Sequence, residues 1–325
     1  MNPVLEEFLS SHPGRDLVIR SAKERPLAEQ AATKRSDQSD LRGLRLHYID
    51  EGEGEPVVML HGNPSWSFLY RNLLGALRGS HRVIVPDHIG CGLSEKPGDS
   101  RYAYTLQSRV DDLEELLDHL GLDRELTLVL HDWGGMIGMT YAARHPERIA
   151  RLVVTNTAAF RKPESKPLPW ALSVCRSSFL AAPLVRGANV FCRGTALIGS
   201  KQKHMSRELR AAYVHPYDSW AHRIAILRFV QDIPLRTGDP SYDLVSWTEE
   251  RLHLLRSVPM LILWGMKDFV FDHHFLEEWE RRFPAARVHR FARAGHYLFE
   301  DEVGPITSLV QQFLAAEPAI QEPVG

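Results

Sequence analysis

The sequence predicts an α/β protein built on a mostly parallel, doubly wound sheet with an inserted helical cap. Apolar, strand-like runs alternate with helix-compatible segments up to about residue 160 and again after about residue 246. Such alternation predicts parallel strands joined by crossover helices, with ligands bound at the carboxyl ends of the strands. Between the two parts, from Arg161 to about Leu244, lie helical segments and many prolines but no strand-like run. This stretch is interpreted as the cap.

Length and composition fit one large core with an insertion. The chain has 325 residues, of which 44% are hydrophobic, so it can bury a large apolar interior. The predicted domains are an N-terminal extension over residues 1–40, core over 41–160, cap over 161–245 and core again over 246–325. In the extension, an apolar pattern that begins at Val4 predicts a short docking helix, and the polar stretch Ala28–Asp40 predicts a flexible linker.

The first half of the core follows from local patterns. In order, the predicted elements are a strand of an edge hairpin over Leu44–Asp50, a buried strand over Val57–Leu60, a helix over Trp66–Leu77 and a buried strand over Val83–Val85. Apolar residues then recur at helical spacing over Leu106–Leu120, which predicts an amphipathic helix with Thr105 as N-cap and Gly121 as the stop.

The rest of the core repeats this alternation. The predicted strands are Leu126–His131, Leu152–Thr155, Met260–Trp264 and Val288–Phe291, and the predicted helices are Met136–Ala143, His274–Arg282 and Ile306–Leu314. Pro305 stands near the start of the final helix, where proline is tolerated because the missing N–H has no helical partner.

The strand Leu126–His131 leads into a turn that presents Asp132. Trp133 and two glycines follow, and a helical segment comes next. In the nucleophile elbow of α/β-hydrolases, a strand, a sharp turn and a helix expose the attacking side chain at this position. Because the side chain here is a carboxylate, attack on a saturated carbon that bears a leaving group would give an ordinary ester of the enzyme. Asp132 is therefore a candidate nucleophile, with a helix N-cap as the alternative interpretation.

An acid and a histidine follow Asp132 in the chain order of hydrolase triads. Asp268 comes after the predicted strand Met260–Trp264, and His296 comes after the strand Val288–Phe291. In such a triad the histidine is a base that activates water, and the acid fixes the tautomer of the histidine. A helix cap for Asp268 and a surface loop for His296 are the structural alternatives. Their joint occurrence at strand ends favours catalysis.

Asn63 and Trp133 complete the candidate site. Asn63 follows the predicted strand Val57–Leu60, and Trp133 follows the nucleophile. An amide N–H and an indole N–H directed into one pocket would form an anion site without a positive charge. Such a site suits a departing halide or a carboxylate oxygen. A turn residue and a core side chain are the structural alternatives.

These motifs resemble the haloalkane dehalogenase family. The resemblance rests on the segments HGNPSWSFLYRNL, VPDHIGCGLSEKP, VLHDWGGMIGMTYAARHP, LILWGMKDFVF and AGHYLFEDE. It implies an α/β-hydrolase fold in which the nucleophile is Asp132, the base His296, the acid Asp268, and the leaving-group site Asn63 with Trp133. Asn156, after the strand that follows the elbow, stands where another subfamily has Glu.

A closer resemblance extends into the cap. The segments KPLPWAL, AYVHPYDSWAHRIAILRFVQDIPL and WGMKDFVFDHHFLE are similar to the β-lactone decarboxylases (cis-3-alkyl-4-alkyloxetan-2-one decarboxylases) of long-chain olefin biosynthesis. This resemblance implies conversion of a four-membered lactone with two long alkyl chains into a cis-alkene and CO2. Asp132 would attack the ring carbon bonded to the ring oxygen, and Asn63 and Trp133 would hold the released carboxylate. No water is consumed, so the roles of His296 and Asp268 stay open.

Two alternative activities use the same site. A haloalkane dehalogenase, which hydrolyses haloalkanes to alcohol and halide, needs the same five side chains and a water activated by His296. An epoxide hydrolase also uses an aspartate elbow but needs two cap tyrosines as acids, and Asn63 argues against it. The candidate tyrosines are Tyr213, Tyr217 and Tyr242. A non-catalytic scaffold would be expected to lack catalytic residues, and none is missing.

The cap sequence suggests an apolar tunnel and a docking surface. The apolar residues that could line alkyl tunnels are Trp170, Leu172, Phe179, Leu184, Phe191 and Ile198. Residues 161–210 carry a formal charge of +8, against −10 for the rest of the chain. We hypothesise docking on a membrane surface or on an acidic partner. The resemblance separately implies an assembly with a β-lactone synthetase and other enzymes of the olefin pathway. Arg223 and Arg228 are candidates to steer a carboxylate.

Composition excludes several other classes of function. A net charge of −2 without a long basic run argues against a nucleic-acid partner. The three scattered cysteines do not predict a disulfide framework or a zinc site. The pair His273–His274 does not predict a metal either, because adjacent helix positions point apart and no third ligand is apparent. Without a signal segment or a membrane-length apolar run, the protein is expected in the cytoplasm, with no cofactor.

Overall fold

The computed structural model describes residues 2–19, 43–177, 179–202 and 204–316. The predicted linker Ala28–Asp40 lies outside these residues. No helix in the described ranges combines the length and the apolar character that crossing a membrane requires.

Eight strands of the described chain form one sheet. They are β1 (Arg15–Ile19), β2 (Leu44–Glu51), β3 (Pro56–Leu60), β4 (Arg82–Pro86), β5 (Leu126–Asp132), β6 (Ile149–Thr157), β7 (Met260–Gly265) and β8 (Arg287–Phe291). Their spatial order is β1-β2-β4-β3-β5-β6-β7-β8. The β1–β2 and β2–β4 pairs are antiparallel, and all the other pairs are parallel. This arrangement confirms the predicted mostly parallel sheet.

The N-terminal edge of the sheet differs from the prediction. β1 lies within the predicted extension and pairs with β2, which is thereby an internal strand. The prediction that Leu44–Asp50 forms an edge hairpin is wrong, because β2 pairs with β1 and β4. β1 has five residues, starts with two exposed charged side chains and buries only Ile19, so its sequence carries little strand signal.

Helices cover both faces of the sheet and form the cap. They are α1 (Pro3–Ser11), α2 (Arg71–Leu77), α3 (Leu106–His119), α4 (Trp133–Arg144), α5 (Trp170–Ser177), α6 (Val190–Ile198), α7 (Arg207–Val214), α8 (Ile224–Gln231), α9 (Tyr242–Arg251), α10 (His273–Arg282), α11 (Leu298–Asp301) and α12 (Val303–Ala315). As predicted, Thr105 caps α3 by accepting a hydrogen bond from Ser108 N, and Gly121 follows the helix with φ of 66°. The predicted docking helix is α1, whose Phe8 packs edge-on against Phe68.

The region between β6 and β7 contains no strand among its described residues. α5 to α8 lie in this stretch and have an apolar cluster of their own, which includes Leu172, Val185, Tyr217 and Ile226. The predicted domain boundaries stay a prediction, and the one at residue 245 falls inside α9, which packs against α4 of the core.

Candidate active site

Asp132 occupies a sharp elbow between β5 and α4. Its backbone has φ of 52° and ψ of −127°, a conformation that residues other than glycine rarely adopt. Glycines at positions 134 and 62 allow the elbow to pack closely against the end of β3. A Cβ at Gly134 would lie 1.9 Å from Leu60 O, and a Cβ at Gly62 would lie 2.1 Å from Asp132 Oδ1. The Asp132 side chain makes no N-capping hydrogen bond, so the alternative role as a helix cap does not describe it.

Backbone N–H groups hold the buried carboxylate of Asp132. Asn63 N donates to Oδ1 at 2.6 Å, and the backbone N–H of Trp133 also stabilises the charge of the carboxylate. Burial raises the pKa of Asp132, while the charge of His296 and these two N–H groups act in the opposite direction. The donors therefore fix the orientation of the carboxylate and stabilise its anionic form.

His296 lies between two carboxylates. Its Nδ1 is 2.8 Å from Asp268 Oδ2, and its Nε2 is 3.8 Å from Asp132 Oδ2. Burial by itself would lower the pKa of His296. The charge of Asp268, the hydrogen bond to it and the charge of Asp132 outweigh burial and raise the pKa to about 9. At neutral pH the imidazole is therefore a cation that donates to Asp268 and directs its second N–H toward Asp132.

The loop that carries Asp268 is tied to the sheet by Asn156. Val270 N donates to Asp268 Oδ1 at 2.7 Å. Asn156 Oδ1 accepts from Gly265 N at 2.7 Å, and its Nδ2 donates to Gly265 O at 3.0 Å and to Phe271 O at 3.2 Å. Asn156 thus joins the ends of β6 and β7, and among the described carboxylates Asp268 is the one hydrogen-bonded to His296.

His131 supports the backbone of His296, a role that the sequence analysis missed. Its Nε2 is 2.9 Å from His296 O. Because a carbonyl oxygen only accepts hydrogen bonds, this nitrogen carries the proton. Burial lowers the pKa of His131 well below its usual value, so the ring stays neutral. Its position directly before the elbow nucleophile is the signal that could have identified it.

Asp301 links the histidine loop to the cap. Its Oδ2 accepts from Gly295 N at 2.8 Å, directly before His296. The same carboxylate accepts from Lys201 N at 2.9 Å and from Gln202 N at 2.9 Å, in the segment between α6 and α7. One buried side chain therefore positions a cap segment relative to the His296 loop.

Asn63 and Trp133 both lie beside Asp132, but the side-chain N–H groups of the two residues are not directed at one common point. The Asn63 side chain donates from Nδ2 to Ile226 O in the cap at 3.2 Å, and its Oδ1 has no partner among the described residues. One amide N–H is therefore directed to the cap, while the backbone N–H of Asn63 binds Asp132. The Trp133 indole packs against Phe229.

A largely apolar cavity of about 320 Å³ contains the reacting groups. Asp132, Trp133, Asn63 and His296 line it, and Asp268 lies behind His296. Of the predicted tunnel residues, Leu172, Phe191 and Ile198 line the cavity, whereas Trp170, Phe179 and Leu184 do not. The aromatic lining residues Phe160, Phe269 and Phe271 were not predicted, although they lie just beyond the ends of β6 and β7.

The three candidate tyrosines of an epoxide hydrolase do not reach this cavity. Tyr213 donates its hydroxyl to Glu300, Tyr217 donates to Ser65 O at 3.1 Å, and the Tyr242 hydroxyl accepts from Arg161. The structure therefore supplies no tyrosine pair that could protonate an opening oxygen within the described lining.

The two candidate steering arginines also lie outside the cavity. Arg223 donates to backbone carbonyls, including Tyr217 O at 2.8 Å. Arg228 pairs with Asp99 at 2.6 Å. Both side chains stabilise the cap, and the hypothesis that they steer a substrate carboxylate is wrong.

His273 and His274 do not point apart as predicted, and the prediction that they have no third ligand nearby is wrong. The two rings lie 4.0 Å apart at the start of α10. Ligand atoms of Asp272, His273 and His274 all lie within 4.8 Å of one another, so a third ligand is present. Asp272 is already used, because it caps α10 and pairs with Lys166 at 2.7 Å.

Comparison with known proteins identifies the family. A model of the alpha/beta hydrolase fold family matches residues 55–303. The cis-3-alkyl-4-alkyloxetan-2-one decarboxylase of Shewanella oneidensis is 57% identical over 84% of this chain and 86% of its own length. The protein of the same name from Xanthomonas campestris pv. campestris is 46% identical over 85% of this chain and 94% of its own.

A solved structure supports the fold. The haloalkane dehalogenase DatA from Agrobacterium tumefaciens C58 superposes with a TM-score of 0.76 at 24% identity, covering 93% of this chain and 96% of its own. At this identity the match concerns the fold alone. Taken with the sequence relatives and the elbow geometry, it shows that the chain belongs to the α/β-hydrolase family, in the group that contains the cis-3-alkyl-4-alkyloxetan-2-one decarboxylases.

Proposed function

We propose that this protein is a β-lactone decarboxylase, a carboxy-lyase that converts cis-3-alkyl-4-alkyloxetan-2-ones into cis-alkenes and CO2. The observation that carries the proposal is the elbow carboxylate of Asp132, which faces an apolar cavity. A carboxylate nucleophile suits a substrate with a leaving group on saturated carbon. The 57% identity to a protein named as such a decarboxylase supports the choice of the lactone as substrate.

The first step opens the ring. An oxygen of Asp132 attacks the ring carbon that is bonded to the ring oxygen, with inversion at that carbon. The carbon–oxygen bond breaks, its electron pair goes to the oxygen, and the ring strain is released. The products of the step are an alkyl ester of Asp132 and a free substrate carboxylate. The indole N–H of Trp133 is a candidate donor to that carboxylate, since no described residue accepts from it.

The second step releases CO2 and restores the enzyme. The bond between the substrate carboxylate and its neighbouring carbon breaks, its electron pair forms the double bond, and Asp132 leaves as a carboxylate. Inversion in the first step followed by anti elimination in the second retains the cis relationship of the two chains. Atoms and charges balance without water and without a proton.

Because neither step transfers a proton, the role of His296 is electrostatic. With its pKa raised to about 9, the imidazole is a cation 3.8 Å from Asp132 Oδ2. A fixed cation keeps the buried Asp132 carboxylate ionised, as a nucleophile must be, and stabilises the charge that returns to Asp132 when it departs. Asp268, hydrogen-bonded to Nδ1, keeps the ring charged and oriented.

Haloalkane dehalogenation is the second candidate. The site contains the aspartate, the histidine and the acid that this hydrolysis needs. In that hydrolysis His296 would act as a neutral base toward water after Asp132 has been esterified and has lost its charge. The 57% identity to a protein named as a cis-3-alkyl-4-alkyloxetan-2-one decarboxylase favours the lactone as substrate instead. Epoxide hydrolysis is further disfavoured by the absence of tyrosine from the described cavity lining.

We also propose that the reaction belongs to olefin biosynthesis in the cytoplasm. The thiols of Cys91, Cys175 and Cys192 are unbonded and buried, which fits a reducing compartment. The preceding reaction must close a β-lactone ring, so a β-lactone synthetase is the proposed neighbouring enzyme. Chemical cross-linking of the two purified enzymes tests whether they assemble.

The decisive experiment is product analysis. Purified protein and its Asp132→Asn variant are incubated with a synthetic cis-3,4-dialkyl-2-oxetanone, and the products are separated by gas chromatography. A parallel incubation with a 1-bromoalkane measures halide release. Enzyme-dependent cis-alkene without bromide supports the decarboxylase. Bromide and alcohol without alkene would instead identify a dehalogenase.

A further inference from the structure

The cavity reaches the protein surface beside α6. Val190 and Ile198 of this helix line the cavity, yet their side chains are 39% and 47% exposed. Residues that face both the cavity and solvent lie at its opening. Val190, Arg193 and Leu197 recur at spacings of three and four along α6 and are all exposed, so they form one outward face of the helix.

Exposed apolar side chains concentrate in the same part of the cap. Ten large hydrophobic residues are exposed in the described chain, and six of them lie between Trp170 and Ile198. Trp170 is 80% exposed and follows Pro169, which lines the cavity, and Phe179 is 90% exposed. Leaving such side chains in water is unfavourable, and exposed apolar patches usually mark interaction sites.

This part of the cap is also basic. Residues 161–210 carry a formal charge of +8. Arg193, Lys201 and Arg207 are exposed, and within the described ranges none of the three forms an ion pair. Cations that have no carboxylate partner among the described residues are available to an anionic surface.

We propose that the outer surface formed by Trp170, Phe179, Val190, Arg193, Leu197 and Ile198, the cap rim, docks on a membrane that contains anionic lipids. Protruding apolar and aromatic side chains with cations among them are the pattern of an interfacial surface. The apolar side chains enter the boundary between headgroups and acyl chains, and the cations pair with lipid phosphates.

The role of this docking in substrate delivery rests on the proposed function, because it follows from the nature of the substrate and the product. A dialkyl β-lactone and a long-chain alkene have very low solubility in water. An opening that lies against a bilayer lets both molecules pass between the membrane and the cavity without crossing solvent. Val190 and Ile198 of the cap rim line the cavity at that opening, so docking would place the opening against the bilayer.

Vesicle co-sedimentation of the full-length protein tests the proposal. The probes are vesicles of phosphatidylcholine alone and vesicles of phosphatidylcholine with phosphatidylglycerol. We expect binding to the anionic vesicles and a decrease of about tenfold or more in two double variants. One is Trp170→Ser with Phe179→Ser in the cap rim, and the other is Arg193→Glu of the rim with Arg207→Glu of the adjoining α7; both are termed rim variants. A matched control, Val18→Ser with Leu254→Ser, removes exposed apolar side chains outside the cap and should bind like the wild type.

Activity on a short-chain, water-soluble β-lactone is measured on the same proteins and should be unchanged by all three double variants. Wild-type vesicle binding without lactone activity would refute the proposed function and leave the docking intact. The docking proposal is overturned if the wild type binds no vesicle or if the rim variants bind as well as the control. If the wild type binds no vesicles and a rim variant changes its oligomeric state, the cap rim is a protein interface and the membrane proposal is wrong.

Discussion

The Nε2 atom of His296 lies 3.8 Å from Oδ2 of Asp132. This separation is too long for a hydrogen bond but allows a strong electrostatic interaction inside a buried site. Nδ1 of the same ring is hydrogen-bonded to Asp268. The charge of His296 therefore depends on two carboxylates, and catalysis should depend on that charge.

The first prediction concerns pH. Since the pKa of His296 is raised to about 9, we expect kcat/KM for the lactone to fall as pH rises through about 9, when the cation is lost. A folded-state pKa above the ordinary value also means that this group contributes stability below its ordinary pKa, and that the contribution is lost as pH rises through about 9. Steady-state assays from pH 6 to 10 measure the profile. A rate that increases up to pH 9 would indicate a neutral base.

The second prediction concerns Asp268→Asn. Removal of the carboxylate leaves burial as the main influence on the His296 ring, so the pKa of His296 should decrease and the alkaline limit of activity should move to lower pH. We expect a loss of about 10²-fold or more at pH 8. NMR titration of the His296 ring measures the pKa directly. The exposed Asp243→Asn variant is the control and should leave both the profile and the ring titration unchanged.

The third prediction compares two glycines. A Cβ at Gly62 would lie 2.1 Å from Asp132 Oδ1, whereas a Cβ at Gly75 in α2 would meet nothing within 4 Å. Gly62→Ala should destabilise the protein by about 1–3 kcal/mol and nearly abolish activity, because the nucleophile must move. Gly75→Ala should stabilise it by up to about 1 kcal/mol. Urea denaturation and kcat measure both, and an active Gly62→Ala enzyme would contradict the elbow geometry.

The fourth prediction concerns the buried contact between Arg109 of α3 and Asp232, which follows α8 of the cap. Arg109 Nη1 lies 3.8 Å from Asp232 Oδ2, and the guanidinium stacks on Phe229 with its central carbon 3.6 Å from the ring centre. Burial raises the pKa of Asp232 to about 6, although the charge of Arg109 opposes the shift. Arg109→Met should therefore cost about 3–5 kcal/mol, since it leaves a buried carboxylate without its cation.

A double-mutant cycle with Asp232→Asn tests this contact. The double variant should be more stable than the sum of the two single losses predicts, because neither charge is then left alone. The raised pKa also predicts that the destabilising effect of Arg109→Met is smaller at pH 5, where Asp232 is protonated. Urea denaturation at pH 5 and pH 8 provides both measurements, and additive losses would show that the pair is not coupled.

The fifth prediction concerns Trp133→Phe. The indole N–H is the one side-chain donor proposed here for the released carboxylate, and phenylalanine keeps the ring contact with Phe229 while removing that donor. We expect kcat to fall about 10²-fold with little change in the free energy of unfolding. A fall in stability without an effect on kcat would show that Trp133 serves only as a packing residue.

Much of this arrangement could be predicted because it depends on short segments. The buried strands β3 to β7 contain apolar runs, and the run in β5 leads directly to Asp132, Trp133 and two glycines, a pattern that indicates the elbow. Asp268 and His296 follow strand ends in a fixed chain order, so their proximity follows from the parallel sheet. The roles of these side chains stay a prediction until variants are assayed.

The remaining features depend on contacts between distant segments. The direction of the Asn63 amide is set by the carbonyl of Ile226, and neither residue carries a local signal for the other. The sequence of β1 has little strand character of its own, and the segment is a strand because it pairs with β2. The rings of His273 and His274 lie 4.0 Å apart at the start of α10, where Asp272 caps the helix and contacts the His274 ring, and no local sequence pattern indicates this cluster.

The buried carboxylate of Asp301 bears on how the chain acquires its site during synthesis. Its two oxygens accept hydrogen bonds from the backbone N–H groups of Lys201 and Gln202 in the cap and of Gly295 in the His296 loop. A ribosome completes the cap segments well before it adds residue 301. The cap of a nascent chain therefore lacks this anchor until the last part of the polypeptide emerges, and its apolar cavity lining meets water or a chaperone first. A premature stop before Asp301 would yield an aggregation-prone polypeptide, even though both the nucleophile and His296 had already been translated.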